Sequence, residues 1–229
     1  MSTHGSGTQE LTPELLLRAY AAGIFPMAEH RDDPTIFWVD PQVRGVMPLG
    51  TFHVPRRLKK IIRSGVFEVR CDTAFAEVLK QCGEAQDGRP ETWINAPIEH
   101  AVNGLFEMGF AHSVETWQDG KLVGGLYGIA LGGAFFGESM FSRVRDASKA
   151  SLVHLVARLR MGGFTLLDIQ FITDHLRQFG AEEVPARQYL EDLNEALKVQ
   201  GLFPVGGDES GAIAGALEGL FLQSSTQTS

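Results

Sequence analysis

The sequence predicts an α+β fold in which a small N-terminal subdomain precedes a larger domain with a mainly antiparallel central sheet. Helix signals dominate the first part of the chain, strand signals joined by tight turns occupy residues 111–141, and a helix–strand–helix pattern follows. We expect the small subdomain at residues 1–48 and the larger domain at residues 49–205. Residues 206–229 are rich in Gly and Ser, which favours a mobile tail over a weak amphipathic helix.

Helix start signals recur in the first half of the chain. Thr12 precedes a proline and a glutamate, as is typical of a helix cap and its first turn. Residues 56–63 predict a second helix. Asp72 or Thr73 is expected to cap a third helix, and Asn95 to cap a fourth.

Strand signals are densest between residues 111 and 141. Asp119-Gly120 predicts one hairpin turn and Gly132-Gly133 a second, which gives an antiparallel meander. A helix over residues 148–160 and a strand over residues 165–171 are expected to follow.

The composition excludes several classes of protein. The 229 residues carry a net charge of −8, with a pI near 5.4, which disfavours binding to nucleic acid through bulk charge but allows a local basic patch. No apolar run reaches the roughly 18 residues of a membrane helix, and the first ten residues lack the pattern of a signal peptide. Cys71 and Cys82 cannot build a disulfide framework, so we expect a reducing, cytoplasmic location.

A basic segment interrupts this acidic chain. Five of the 20 Lys and Arg residues lie within eight positions that contain no acidic residue: Arg56, Arg57, Lys59, Lys60 and Arg63. On a helix, all but Arg57 share one face, an arrangement suited to binding phosphates. A solvated helix face without a function explains the pattern equally well.

Three polar residues lie in predicted apolar strands. Asp168 and Gln170 are two positions apart, so their side chains share one face. Because buried polar groups are costly without partners, the pair suggests the floor of a site, although a sheet face open to water also explains it. Glu138 lies among aromatic residues, either as a salt-bridged core acid or as a charge that faces a ligand.

Other motifs point to few further chemistries. The tryptophans are Trp38, Trp93 and Trp117, of which Trp93, beside a predicted helix cap, is best placed to stack on a base. The seven histidines include no His-Glu-x-x-His pair or Cys/His cluster, so no metal is expected. No Gly-x-Ser-x-Gly segment marks a serine nucleophile.

An ordered set of segments resembles the leucyl/phenylalanyl-tRNA–protein transferase family. The likeness runs from about residue 11 to residue 204, and each segment is weakly specific alone, whereas the ordered set is highly specific. The segments are Tyr20-Ala-Ala-Gly-Ile-Phe-Pro26, Thr92-Trp-Ile94, Ala111-His-Ser-Val-Glu115, Leu122-Val-Gly-Gly-Leu-Tyr-Gly128, Gly137-Glu-Ser-Met-Phe-Ser142, Ala147-Ser-Lys149, and Asp168-Ile-Gln170 with Asp174-His175.

The resemblance implies an aminoacyltransferase whose larger domain is GNAT-like. Such an enzyme moves Leu or Phe, with Met as a further candidate, from aminoacyl-tRNA to the α-amine of proteins that begin with Arg or Lys. The added residue marks the acceptor for N-end-rule degradation. Because the aminoacyl ester is already activated, no cofactor, metal or covalent intermediate is needed. The resemblance also implies a monomer, and the lack of a membrane-length apolar run predicts that it makes no membrane contact.

Matching positions imply roles for individual residues. Gln170 would orient the attacking amine, with Asp168 as the sink for its positive charge. The transferred side chain would occupy an apolar pocket formed by Leu126, Phe135, Met140, Leu152 and Leu167. Glu138 would hold the amino group of the donor, Trp38 and Trp93 would stack near its terminal adenosine, and the basic helix would contact the acceptor stem.

Two alternatives belong to other classes. Acetyl-CoA-dependent N-acetyltransferases share the fold class, but neither Gln42-x-x-Gly45 nor Arg160-x-x-Gly163 completes their pyrophosphate-binding loop. An RNA-binding module would use the basic helix and the tryptophans without chemistry. It would bind charged and uncharged tRNA alike.

Overall fold

A computed structural model describes residues 11–84, 91–206 and 210–226 of the chain. Within these ranges the helices are α1 (Pro13–Ala21), α2 (Arg56–Arg63), α3 (Phe75–Cys82), α4 (Ala96–Glu107), α5 (Ala147–Met161), α6 (Asp174–Arg177), α7 (Ala186–Ala196) and α8 (Ser210–Thr226). The strands are β1 (Phe25–Met27), β2 (Phe37–Val39), β3 (Val43–Val46), β4 (Glu68–Cys71), β5 (Ala111–Gln118), β6 (Lys121–Leu131), β7 (Ala134–Ser142), β8 (Leu166–Gln170) and β9 (Glu182–Pro185).

The central sheet has seven strands in the order β4-β5-β6-β7-β8-β3-β9. Neighbouring strands are antiparallel except β7 and β8, which are parallel and are connected through α5. Strands β1 and β2 form a separate antiparallel pair. The predicted α+β class is therefore confirmed, and the sheet is mixed because of the single parallel pair.

Hairpin turns set the register of the central meander. Asp119 and Gly120, between β5 and β6, have φ angles of 50° and 72°, and Gly132, between β6 and β7, has a φ of 59°. These left-handed conformations suit tight turns between antiparallel strands. Both predicted turns are confirmed.

Helices cover both faces of the sheet. The core on one face includes buried side chains from α1, α3, α4 and α7, and the core on the other includes α2, α5 and α8. Adjacent residues of β6 pack into opposite cores: Leu126 packs with α5, whereas Tyr127 packs with α3. This alternation is expected of a strand buried on both faces. No helix of the described ranges combines the length and apolar character needed to cross a membrane.

Helix caps form at two of the predicted positions. The Thr12 side chain accepts a bond from the Leu15 amide, and the Asn95 side chain accepts one from the amide of Ile98. The start of α3 differs, because its N-cap is Ala74, which has no polar side chain. Glu115 of β5 supplies the missing acceptor: its Oε1 atom takes the amide of Ala74 at 2.7 Å. The prediction that Asp72 or Thr73 caps this helix is wrong.

The boundary predicted at residue 48 directly follows a strand of the central sheet. Strand β3 belongs to the expected N-terminal subdomain, yet it pairs with β8 on one side and β9 on the other. Helix α1 of the same segment contacts α4. The first part of the chain is therefore built into the larger domain rather than set beside it.

The mobile tail predicted from Gly206 is wrong for the residues that form α8. This 17-residue helix lies against α5. Its buried side chains recur at helical spacing, at Ile213, Leu217, Leu220 and Phe221. That apolar stripe outweighs the Gly and Ser content on which the prediction of mobility depended.

Candidate active site

The candidate site lies where β7 and β8 separate. The two strands pair only from Ala134 opposite Leu166 to Phe136 opposite Asp168. Just beyond this segment, the register of β7 with β6 skips Glu138, and that of β8 with β3 skips Ile169. A bulge of this kind redirects side chains and ends regular pairing. An opening between two central strands results.

Glu138 and Gln170 face each other across this opening. The Gln170 Nε2 atom donates to Glu138 Oε1 at 3.3 Å. Gln170 has a φ of 55°, a conformation that costs a residue with a side chain about 1–2 kcal/mol. Strained residues of this kind concentrate at functional sites. The side-chain amide is thus held in place by a backbone conformation that is unfavourable by itself.

Asp168 fixes Gln170 from behind. Its Oδ1 atom accepts the Gln170 backbone amide at 2.8 Å and Arg44 Nε at 3.0 Å. Its Oδ2 atom accepts Arg44 Nη2 at 2.6 Å and the Tyr189 hydroxyl at 2.7 Å. Asp168 and Arg44 are 0% and 1% exposed, so this ion pair is fully buried. Both oxygens are occupied by protein donors, and Asp168 does not line the adjoining cavity.

Arg44 connects this network to the N-terminal segment. Its guanidinium lies between the rings of Phe25 and Tyr189, 4.6 and 4.5 Å from their centroids, and Nη1 donates to the Gly23 carbonyl at 2.9 Å. Burial, followed by the Asp168 charge, raises the pKa of Tyr189, which keeps its hydroxyl protonated as a donor. The carboxylate that holds Gln170 is therefore itself held from two directions.

Glu138 has an unusual electrostatic environment. Burial raises its pKa to about 8, and the negative charge of Asp168 acts in the same direction. A hydrogen bond from the buried Tyr20 hydroxyl and the charge of Arg44 act in the opposite direction but do not outweigh burial. Glu138 can therefore exchange a proton near neutral pH, which is the property of a functional carboxyl group.

A cavity of about 260 Å³ adjoins the Glu138–Gln170 pair. Seven residues predicted from the sequence line it: Trp93, Leu126, Glu138, Met140, Leu152, Leu167 and Gln170. Further lining residues that the prediction missed include Met27, Leu155, Phe171, Thr173 and Leu176. The walls are mainly apolar, and the polar groups of the lining include Glu138 and Gln170.

Two residues predicted for substrate binding lie elsewhere. Phe135 is fully buried and packs against Phe164 and Phe203 instead of lining the cavity. Phe135 belongs to the same apolar core as Leu167, but contacts with the rings of Phe164 and Phe203 keep its ring out of the cavity lining. Trp38 lies in β2 opposite Pro26 and is 40% exposed, outside the cavity lining.

The basic helix α2 does not present its five cations together. Lys59 is buried, and its Nζ donates to the Phe221 carbonyl of α8 at 2.6 Å. Arg63 binds the Glu218 carboxylate of α8 through Nε at 2.9 Å and Nη2 at 2.5 Å. The prediction that these cations bind phosphates is therefore wrong for Lys59. Arg56, Arg57 and Lys60 remain exposed.

Three residues of the site had no predicted role: Tyr20, Arg44 and Tyr189. Arg44 carries a detectable signal, because it is a charged residue in a short apolar segment, as is Asp168. Buried charges are nearly always paired, so two such residues predict each other as partners. The tyrosines show no comparable pattern. Among the described residues, no group of three or more His, Cys, Asp or Glu side chains is arranged to hold a metal ion.

Comparisons with known proteins agree on one family. The family model described as leucyl/phenylalanyl-tRNA protein transferase matches residues 46–194, and the model of its N-terminal domain matches residues 9–42. A leucyl/phenylalanyl-tRNA–protein transferase of Paramagnetospirillum magneticum is 62% identical over 187 residues, which cover 82% of this chain and 90% of the relative. One from Rhodopseudomonas palustris BisB18 is 54% identical over 227 residues and covers 96% and 99%.

Solved structures resemble the chain much less. The C-terminal domain of a putative lysylphosphatidylglycerol synthetase from Agrobacterium fabrum aligns with a TM-score of 0.42 and 13% identity, over 83% of this chain and 73% of that one. The assignment of a family therefore depends on the sequence matches.

Proposed function

The chain belongs to the leucyl/phenylalanyl-tRNA–protein transferase family and is an aminoacyltransferase, and we propose that it transfers Leu or Phe from aminoacyl-tRNA to proteins that begin with Arg or Lys. The acceptor is the α-amine of the protein, and the added residue marks it for N-end-rule degradation. The cavity lined by Glu138 and Gln170 is the observation that supports this function best.

The cavity suits an unbranched-at-β apolar side chain attached to a polar backbone. Leu126, Leu152 and Leu167 supply apolar walls for the leucyl or phenylalanyl group, with Met140 as an adaptable fourth side chain. The flexible thioether is compatible with Met as a further donor. The amino and ester groups of the donor would then lie beside Glu138 and Gln170.

The reaction needs positioning more than activation. The neutral α-amine of the acceptor attacks the ester carbonyl carbon, a C–N bond forms, and the C–O bond to the terminal ribose breaks. The amine loses one proton, and the ribose hydroxyl gains one. The Oε1 atom of Gln170 accepts a hydrogen bond from the attacking amine, while Asp168 acts as a positioning residue through the Gln170 amide. Alignment of this kind lowers the barrier without a covalent intermediate.

Glu138 would hold the amino group of the donor. The bound ammonium adds a positive charge beside a carboxyl group whose pKa is about 8 in its absence. Because an adjacent cation favours the ionised carboxylate, donor binding would release the Glu138 proton and form a charged pair. Trp93 lines the same cavity and would stack on the terminal adenosine. Trp38 does not line the cavity.

Further proposals concern the fold of the larger domain, the cofactor, the oligomeric state and the location, and they follow from the family. A GNAT-like domain is supported by the order of an antiparallel meander, a helix and a parallel strand in β5–β7, α5 and β8. The activated ester supports a reaction without a cofactor. We also infer a monomer that works in the cytoplasm, where aminoacyl-tRNA is available.

Transfer can be tested by intact mass. A peptide that begins with Arg is incubated with the protein and Phe-tRNA, alongside a peptide that begins with Ala and a tube with acetyl-CoA as the donor. A gain of one phenylalanyl residue on the Arg peptide alone is expected. An acetyl gain would support an N-acetyltransferase, and tRNA binding without any transfer would support an RNA-binding module.

Gln170→Ala tests the site itself. Loss of the orienting amide should lower kcat by about 100-fold, within the range of general acid–base and positioning groups. Gln188→Ala, an exposed glutamine on α7, is the matched control and should retain activity. Equal activity of the two variants would show that the cavity at Gln170 is not the transfer site.

A further inference from the structure

A group of cations converges on one carboxylate at the start of α5. Asp146 lies 3.4 Å from Arg57 Nη2, 3.8 Å from Arg145 Nε and 3.2 Å from Lys149 Nζ. We call these four residues the Asp146 cluster. Arg57 comes from α2, whereas Arg145 and Lys149 flank the beginning of α5, so the cluster joins two helices.

The Asp146 cluster presents positive charge to the solvent. Its carboxylate is only 9% exposed, while the side chains of Arg57 and Arg145 are 61% and 76% exposed and Lys149 is 27% exposed. One negative charge thus neutralises part of three positive ones. The first turn of α5 has no acidic residue, and Asp146 makes no side-chain capping bond, so the positive end of a 15-residue helix adds to the same potential.

The Asp146 cluster lies beside the cavity. Lys149 precedes the cavity residue Leu152 by three positions on α5, which places them on one face with a rise of about 4.5 Å between them. Helix α6 gives the same proximity from the other side: Thr173 and Leu176 line the cavity. His175 lies between these two residues in the chain. Burial lowers its pKa, and the charge of Lys149 lowers it further, which indicates that Lys149 lies close to α6.

We propose that the Asp146 cluster binds the phosphodiester groups nearest the 3′ end of aminoacyl-tRNA while the aminoacyl group occupies the cavity. This inference depends on the proposed function, since the donor must be a nucleic acid. Cations beside the cavity would contact the first phosphates on the 5′ side of the terminal adenosine. Lys59 and Arg63, which the basic segment also offers, are engaged by α8. The tRNA-binding surface therefore extends from the exposed part of α2 toward α5.

Two aminoacyl donors, one with phosphates and one without, distinguish a loss of phosphate binding from a change in the cavity. Lys149→Gln, Arg145→Gln and Arg57→Gln are compared with Lys121→Gln and Arg187→Gln, which replace exposed cations at the start of β6 and on α7. Each protein is assayed with Phe-tRNA and with phenylalanyl-adenosine, which has the reacting ester but no phosphate. Kinetics are measured at several salt concentrations.

For each cluster variant, KM for Phe-tRNA should rise by roughly fivefold, and the slope of log KM against log salt should decrease by about 0.7–0.9. KM for phenylalanyl-adenosine should stay within about twofold of the unsubstituted protein. The two control variants should change neither value.

Equal increases in KM for both donors, or no increase for Phe-tRNA, would overturn the inference. Failure of the proposed function itself would look different: the unsubstituted protein would transfer Phe from neither donor. The phosphate site would then have no basis either.

Discussion

At the scale of single residues, the candidate site depends on a carboxylate that does not line the cavity. Asp168 joins Arg44, which is 124 positions away, to Tyr189, which is 21 positions away, and to the Gln170 backbone. A buried charge of this kind is stable only while its partners remain. The same bonds that hold Gln170 in its left-handed conformation thus also hold three segments of the chain together.

Asp168→Ala should reduce stability as well as activity. The substitution leaves the Arg44 guanidinium buried without its counter-ion, which typically costs about 3–5 kcal/mol. Urea denaturation of the variant should show this loss. The control is Asp192→Ala, which removes an exposed carboxylate and should change the free energy of unfolding by no more than about 0.5 kcal/mol. A loss below about 1 kcal/mol for Asp168→Ala would contradict the assigned ion pair.

Glu138 should make stability depend on pH. The pKa of its side chain is about 8 in the folded protein, against 4.5 ordinarily, so the folded chain retains a proton that the unfolded chain releases. Stability contributed by the protonated group is complete below about pH 4.5 and decreases as pH rises toward 8. The loss is at most about 1.4 kcal/mol per pH unit.

Glu138→Gln should remove this dependence, because the amide does not titrate. The difference in unfolding free energy between the variant and the unsubstituted protein should therefore grow in favour of the variant from pH 5.5 to pH 8. Glu191→Gln replaces an exposed carboxylate and should show a constant difference. A constant difference for Glu138→Gln as well would exclude the raised pKa.

The sequence predicted the polar residues of the site better than their partners. Asp168 and Gln170 were detectable because polar side chains are rare in apolar strands. Their different orientations were not, because the left-handed φ of Gln170 and the bulge at Ile169 break the alternation on which the prediction of a shared face depended. Phe135 was assigned to the pocket by its matching position, whereas only the structure shows that its ring packs against Phe164 and Phe203.

At the scale of elements, α8 is the clearest addition to the expected fold. It lies outside residues 46–194, which the larger family model matches. It covers part of α5, and it engages Lys59 and Arg63 of α2. An element of this kind stabilises the domain through apolar contact and fixes which cations of α2 remain exposed.

Leu220→Ala should show that α8 is part of the folded domain. Leu220 is 0% exposed, so the substitution should cost about 2–5 kcal/mol in the free energy of unfolding. Leu222→Ala removes the same atoms from a side chain that is 68% exposed on the same helix, and should have little effect. Similar small values for both variants would indicate that α8 detaches readily from α5.

Local signals predicted long elements and missed short ones. Hairpin turns and the caps at Thr12 and Asn95 depend on a few adjacent residues, so they could be inferred from the sequence. Strands β1, β2, β3 and β9 have three or four residues each, which is too few to show a period. The cap of α3 comes from Glu115, about 40 positions away, and no local pattern reports such a contact.

At the scale of the whole molecule, the N-terminal segment completes the central sheet. Strand β3 lies between β8 and β9, so its removal would leave two strands without their shared neighbour. The pattern of residues 1–48 suggested a small separate subdomain because its elements are short and its loops are extensive. Pairing between distant strands is a tertiary property that composition does not reveal.

A chain of residues 49–229 should therefore fail to fold. It lacks β3 together with Arg44, the counter-ion of Asp168. We expect no cooperative unfolding transition and a loss of near-ultraviolet circular dichroism. A chain of residues 11–229, which retains every described element, serves as the control. A cooperative transition in the 49–229 chain would show that the larger domain is independent after all.

The bonds around Asp168 also set an order of events during synthesis. A ribosome releases Arg44 first, Asp168 much later and Tyr189 last, and domains generally fold as their chain emerges. Until Tyr189 has left the exit tunnel, the carboxylate behind Gln170 lacks one of its donors. A nascent chain therefore has an incomplete candidate site for as long as Tyr189 remains in the tunnel.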